Sequence, residues 1–201
     1  MLNDIVMKKI LLMVAIVALG VACKGKSGAT QQGEASPAEV QTEQTEQKVY
    51  EHDYIVQVGD MAPDFELTMD DGSIFKLSDQ RGKLVMVQFT ASWCGICRQE
   101  MPHIEKDIWQ RHKDDKDFVL VGVCRRDSLP QAKKLVEGTG VTYPMVLDPD
   151  SEAFTKYATA TAGVTRNVLV SPEGKILMLT RLFKQDEFNT LVQTIDSLLA
   201  D

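Results

Sequence analysis

Apolar and polar positions divide the chain into three unequal parts. Ile10 to Val21 is almost purely apolar and follows the basic Met7-Lys8-Lys9. Residues 24 to 48 hold Gly, Ser, Thr, Gln and Glu with almost nothing apolar. From Val49 onward the pattern takes on the periods of regular structure. Phe65-Glu66-Leu67 and Ile74-Phe75-Lys76-Leu77 flank Met69-Asp70-Asp71-Gly72-Ser73, which predicts a hairpin closed by an Asp-Gly turn. Leu84-Val85-Met86-Val87 and Phe118-Val119-Leu120-Val121-Gly122-Val123 are continuous apolar runs, as expected of buried strands. Gly95 to Lys113 reads as a helix kinked at Pro102. Leu129 to Glu137 reads as another, ended by Gly138-Thr139-Gly140. Tyr143 to Leu147 predicts a short strand and Ser151 to Ala158 a short helix. Asn167 to Val170 and Lys175 to Thr180 form a second hairpin around Ser171-Pro172-Glu173-Gly174. The last helix carries Phe188, Leu191, Val192, Ile195, Leu198 and Leu199 on one face. Strand–helix–strand order predicts parallel neighbours, hence an α/β fold with a central mixed sheet flanked by helices.

The first part changes where this domain is expected to work. The Ile10–Val21 run is short for a membrane span, and its basic flank is that of a secretory signal. It ends at Gly20-Val21-Ala22-Cys23, where a small residue precedes a cysteine, as in a bacterial lipoprotein signal. Residues 1–22 are therefore expected to be cleaved and Cys23 to carry lipid. Residues 23–48 follow as a disordered tether, and 49–201 as the globular domain. The domain is then expected at the periplasmic face of a bacterial membrane; a cleaved signal with an incidental Cys23 and an uncleaved anchor are the alternatives, and each delivers it to an oxidising compartment.

Composition then removes function classes. The 201 residues are 44% hydrophobic and 25% charged, ordinary for a globular chain. A net charge of −7 argues against nucleic acid as a partner. No phosphate loop or dinucleotide glycine fingerprint occurs, and no cofactor is expected.

The chemistry gathers at Trp93-Cys94-Gly95-Ile96-Cys97-Arg98-Gln99-Glu100. Cys94 falls where a strand stops and a helix begins. Helix N-termini present unpaired N–H groups and partial positive charge, which favour a thiolate. Cys97, three residues on, shares that face and is close enough to close a disulfide. The pair reads as a redox dithiol, with Cys94 attacking and Cys97 resolving. A zinc site would need two more ligands; beyond Cys124 and three histidines the sequence offers no second close pair. Cys124 ends a predicted central strand. It reads as a small buried hydrophobe, with a third redox thiol as the alternative. Arg125 and Arg126 beside it would add positive potential.

These residues resemble the thioredoxin superfamily, in particular its thioredoxin-like lipoproteins of the TlpA/ResA type. Val58-Gly59-Asp60-Met61-Ala62-Pro63-Asp64-Phe65 is similar to that family's opening segment. Leu77-Ser78-Asp79-Gln80-Arg81-Gly82-Lys83 matches the approach to the central strand, and Trp93-Cys94…Cys97-Arg98…Glu100-Met101-Pro102 the active-site helix. Asp148, Tyr157 and Pro172-Glu173-Gly174-Lys175-Ile176 match later landmarks. The resemblance covers about residues 56 to 199. It implies a thioredoxin fold with an N-terminal β-hairpin extension and thiol–disulfide oxidoreductase activity on protein disulfides. It also implies a membrane electron-donor protein as reductant. Trp93 would belong to the docking surface.

Three positions depart from the family pattern. Gln88 stands where thioredoxins often bury an Asp that assists proton transfer, so proton handling moves elsewhere, with Glu100 as an option. Thr165 stands where the family places a cis proline; without proline a trans peptide is expected. Peroxiredoxins also lack that proline and keep an arginine nearby, so Thr165 and Arg166 are expected on the substrate side. A peroxiredoxin-like thiol peroxidase is the alternative reading, though its reactive-site hydroxyl position is Ala91 here. A non-enzymatic redox or metal-binding adaptor is the third reading. Copper-binding relatives of the SCO type space their cysteines differently and use a distant histidine, whereas no histidine follows His112.

Overall fold

The structure is a computed structural model, and it describes residues 48–200. The expected signal, the Cys23 lipidation site and most of the tether lie outside the described residues. Among the described residues no helix is long and apolar enough to cross a membrane.

The strands are β1 (Glu66–Met69), β2 (Ile74–Lys76), β3 (Leu84–Thr90), β4 (Phe118–Arg125), β5 (Met145–Asp148), β6 (Arg166–Val170) and β7 (Ile176–Arg181). They form one seven-stranded sheet in the order β2-β1-β5-β4-β3-β6-β7. β3 lies inside it, parallel to β4 and antiparallel to β6. All seven of its residues are buried, which accounts for its continuous apolar run. β4 and β5 are also parallel, as strand–helix–strand order predicts. The β1–β2 hairpin pairs antiparallel to β5 and extends the sheet at that edge. Its turn needs Gly72, which sits at a φ of 87°. The mixed sheet, flanking helices and N-terminal hairpin are those of the expected thioredoxin fold.

Period-two alternation sorts the core. Val85, Val87 and Phe89 of β3 face one cluster; Leu84 and Met86 face the other. The second cluster takes the apolar sides of α1 (Gly95–Ile104), α3 (Leu129–Thr139) and α4 (Gln185–Leu199). The first is closed by the segment from Tyr54 to Phe65 and by Ala153 to Val164.

Helix boundaries differ from expectation in three places, each for a local reason. The first helix does not run evenly to Lys113. Pro102 lacks the N–H that would reach Arg98. Downstream the ladder widens to a π turn over Glu105–Trp109, where the Gln110 N–H reaches back to Glu105 O, before the short α2 (Gln110–His112). α3 passes through Gly138 and stops at Gly140, whose φ of 72° makes it the left-handed cap. The expected Ser151–Ala158 helix is one 3-10 turn, Phe154–Lys156. Ser151 has a φ of 62°, and the Asp148 carboxylate accepts from the Ala153 and Phe154 N–H groups, so the chain there is a turn held by Asp148.

Candidate active site

β3 ends at Thr90, and Ala91–Trp93 carry the chain into α1. Cys94 is the N-cap of α1, and its Sγ accepts from the Cys97 N–H at 3.2 Å. The two sulfurs form a disulfide, with Cα atoms 5.4 Å apart. Cys94 is 9% exposed and Cys97 fully buried, so an incoming sulfur meets Cys94 first. Trp93, expected on a docking surface, and Ile96 both stand out beside the pair, 57% and 39% exposed.

The loop before Cys94 is pinned by a group the sequence reading missed. Asp127, buried after β4, accepts from the Ser92 N–H at 2.6 Å and from the Ser92 hydroxyl at 2.7 Å. Arg98 donates to the Ser92 carbonyl from the other side.

Thr165, just ahead of β6, faces the disulfide. Its Oγ1 lies 3.2 Å from Cys94 Sγ and 3.3 Å from Cys97 Sγ. No cis peptide occurs among the described residues, so the Val164–Thr165 bond is trans.

Glu100, one turn beyond Cys97, is almost wholly buried. Asn167 Nδ2 donates to its Oε1 at 2.7 Å, and Gln88 Nε2 to its Oε2 at 3.4 Å. Gln88 Oε1 in turn accepts from the Tyr143 hydroxyl at 2.7 Å, and Asn167 also donates to Thr180 Oγ1 at 2.9 Å. Burial disfavours the charged carboxylate and raises Glu100 from the ordinary 4.5 to about 7; the two amide donors oppose that rise. A group poised there exchanges protons at neutral pH. Gln88, which cannot titrate, orients the group that does.

Asn167 and Tyr143 escaped the sequence reading. The available signal was periodic: Asn167 is two residues after Thr165, so both face the same side of β6, where a polar residue breaks an apolar run.

Arg166 is not on the substrate side. The same alternation turns it to the opposite face of β6, where it is fully buried. Its guanidinium donates to the carbonyls of Gly163 and His52 and lies over the Tyr54 ring, 4.3 Å from the centroid. Arg125 is likewise consumed internally. It donates to Ala160 O, Ala162 O and Ser151 Oγ and stacks on Phe154. Cys124 is buried, unpaired and pushed up to about 12 by burial, which makes it a packing residue rather than a third redox thiol. No cluster of three or more metal-ligating side chains occurs among the described residues.

The AhpC/TSA family model matches residues 58–178. The thiol-disulfide oxidoreductase ResA of Bacillus subtilis is 30% identical over 122 residues, covering 61% of this chain and 66% of that protein. ResA of Geobacillus kaustophilus is 30% identical over 131 residues, 65% of this chain and 74% of that one. In three dimensions, a candidate protein disulfide isomerase from Bacteroides thetaiotaomicron superposes with a TM-score of 0.72 at 55% identity, covering 74% of this chain and 93% of its own. The thioredoxin domain of a Bacteroides vulgatus thiol-disulfide oxidoreductase gives a TM-score of 0.60 at 28% identity, over 69% and 98%.

Proposed function

The chain belongs to the AhpC/TSA family, and from that premise we propose that it is a thiol–disulfide oxidoreductase whose working group is the Cys94–Cys97 pair. One observation carries the reading: the pair sits at a helix N-terminus, with Cys94 retaining slight exposure and Cys97 wholly buried behind it. That asymmetry separates attack from resolution.

In the reducing direction the Cys94 thiolate attacks one sulfur of a substrate disulfide. The substrate S–S bond breaks, and its other sulfur leaves as a thiolate. Cys97 gives up its proton and attacks Cys94 Sγ. The Cys94–Cys97 disulfide forms, and the second substrate sulfur leaves, two electrons richer in all. Glu100, buried on the same helix and poised near neutrality, takes the Cys97 proton. Trp93 and Ile96 receive the apolar side chains of the substrate.

The substrates are protein disulfides, and a membrane electron-donor protein restores the dithiol. The Ile10–Val21 run and Cys23 support a lipid-anchored domain on the periplasmic face of the membrane. The peroxidase reading loses its arginine, since Arg166 is spent on the Gly163 and His52 carbonyls, and Ala91 offers no hydroxyl at its reactive-site position.

The test is a titration of the protein in dithiothreitol buffers, with thiols counted by alkylation mass shift. Cys94 and Cys97 should oxidise together in one reversible two-electron step, absent from Cys94→Ser and Cys97→Ser. A pair that never forms a reversible disulfide refutes the reading.

A further inference from the structure

Thr165 takes the place of a residue that has no hydroxyl, and its hydroxyl meets both reacting atoms. Oγ1 lies 3.2 Å from Cys94 Sγ and 3.3 Å from Cys97 Sγ, within sulfur hydrogen-bonding range of each. The side chain has little freedom to leave. Thr165 is 3% exposed, and its carbonyl is held by the Leu182 N–H at 3.1 Å. A β-branched residue is also stiff at χ1. Cys94 Sγ has one other donor, the Cys97 N–H; for Cys97 Sγ, Thr165 is the donor the structure shows.

We propose that Thr165 is a further catalytic residue, its hydroxyl donating in turn to whichever sulfur of the Cys94–Cys97 pair leaves as a thiolate. The proposal rests on the exchange reading and deepens it. When an external dithiol reduces the protein, one of its thiolates attacks Cys94 Sγ and the Cys94–Cys97 bond breaks. Cys97 leaves carrying the electron pair, and the Thr165 hydroxyl turns to it. The second thiolate of the reductant then attacks its own sulfur in the mixed disulfide. Cys94 leaves with the next pair, and the hydroxyl, joined by the Cys97 N–H, serves it. Two electrons and two protons pass from reductant to protein, and the reductant closes to a cyclic disulfide. Thr165 keeps its proton throughout. A hydrogen bond to a charged group is much stronger than one to a neutral sulfur, so the hydroxyl favours the reduced form.

The test compares wild type with Thr165→Val, which keeps the shape and loses the hydroxyl, and Thr165→Ser, which keeps the hydroxyl. Two quantities are read: the dithiothreitol equilibrium, and the pH midpoint of Cys94 alkylation. Glu100 and Asp127, the carboxylates of this corner, are unchanged in all three proteins. Thr165→Val should shift the equilibrium about tenfold toward the disulfide, about 30 mV, and raise the alkylation midpoint by about one pH unit. Thr165→Ser should restore most of both. Wild-type values in Thr165→Val overturn the proposal, as does a Thr165→Ser protein that behaves like the valine variant, because packing would then be the cause. A wild type with no reversible disulfide overturns the exchange reading itself, and this proposal with it.

Discussion

The proposed role of Glu100 would tie stability and activity to the same proton. Its carboxyl is buried and rises from the ordinary 4.5 to about 7 on folding. Between those values the folded protein holds more protons than the unfolded chain, so stability falls as pH rises. The contribution is fully present below about pH 4.5 and gone above about pH 7. That gap corresponds to about 3 kcal/mol, a large part of a domain's net stability. Replacing Glu100 by Gln removes the charge and keeps the shape. The new amide can donate to Asn167 Oδ1 once the Asn167 amide turns over; that turn takes Asn167 Nδ2 off position 100 and Thr180, so one Asn167 polar atom stays without a partner, as before. The groups that face this position are Gln88 on β3, Asn167 on β6, Tyr143 before β5 and Glu187 on α4, and none of them changes.

Urea unfolding of the oxidised proteins at pH 5 and pH 8 isolates the effect. Glu100→Gln should match wild type within about 1 kcal/mol at pH 5 and exceed it by about 3 kcal/mol at pH 8. The same variant should reduce protein disulfides more slowly, and its rate should lack the inflection near pH 7 expected of wild type. A stability difference that is equal at both pH values refutes the assignment of a proton near neutrality to Glu100.

Three other substitutions separate the site from its surroundings. Asp127→Ala unpins Ser92 at two hydrogen bonds; it should cost about 2–3 kcal/mol in urea unfolding and slow disulfide exchange, because the loop ahead of Cys94 loses its anchor. Cys124→Ala should leave exchange rates within about twofold of wild type, with a stability cost of about 1 kcal/mol, and native wild type should resist alkylation at Cys124 until unfolded. Arg166→Leu strands the Gly163 and His52 carbonyls and should lower stability by about 3 kcal/mol while leaving the dithiothreitol equilibrium where it was; a shifted equilibrium would return Arg166 to the redox site.

What could be read from the sequence follows from how local each cause is. The buried strands, the Asp-Gly hairpin and the apolar face of α4 each depend on a pattern a few residues long, and they appear where expected. So does the Cys94–Cys97 pair, since a strand end, a helix start and a three-residue spacing are all local. Arg166 was misplaced because its direction depends on strand phase: one residue decides which face of β6 it takes. Asp127 reaches back 35 residues to Ser92, and Tyr143 reaches 55 residues to Gln88, links that no short pattern records. The Ser151–Ala158 stretch has helical composition, but the Asp148 carboxylate satisfies its first N–H groups in a turn instead.

Strand phase also joins two departures from the family pattern that lie far apart in the sequence. Gln88 replaces a titratable residue, and Thr165 replaces a proline. In the fold both lie around one side of β6. Thr165 opens that side against the sulfurs, and Asn167, two residues on, closes it against Glu100. β3 pairs Gln88 directly with Asn167, so the two amides stand side by side and approach the two oxygens of one carboxylate. An ionisable group at position 88 would place a second negative charge against Glu100, and both could not ionise near neutral pH. A neutral amide there leaves Glu100 as the sole carboxylate of the pair, while the Thr165 hydroxyl supplies hydrogen bonding at the sulfurs where proline could supply none. The proposed proton site thus lies on the active-site helix, on the same helix face as Cys97.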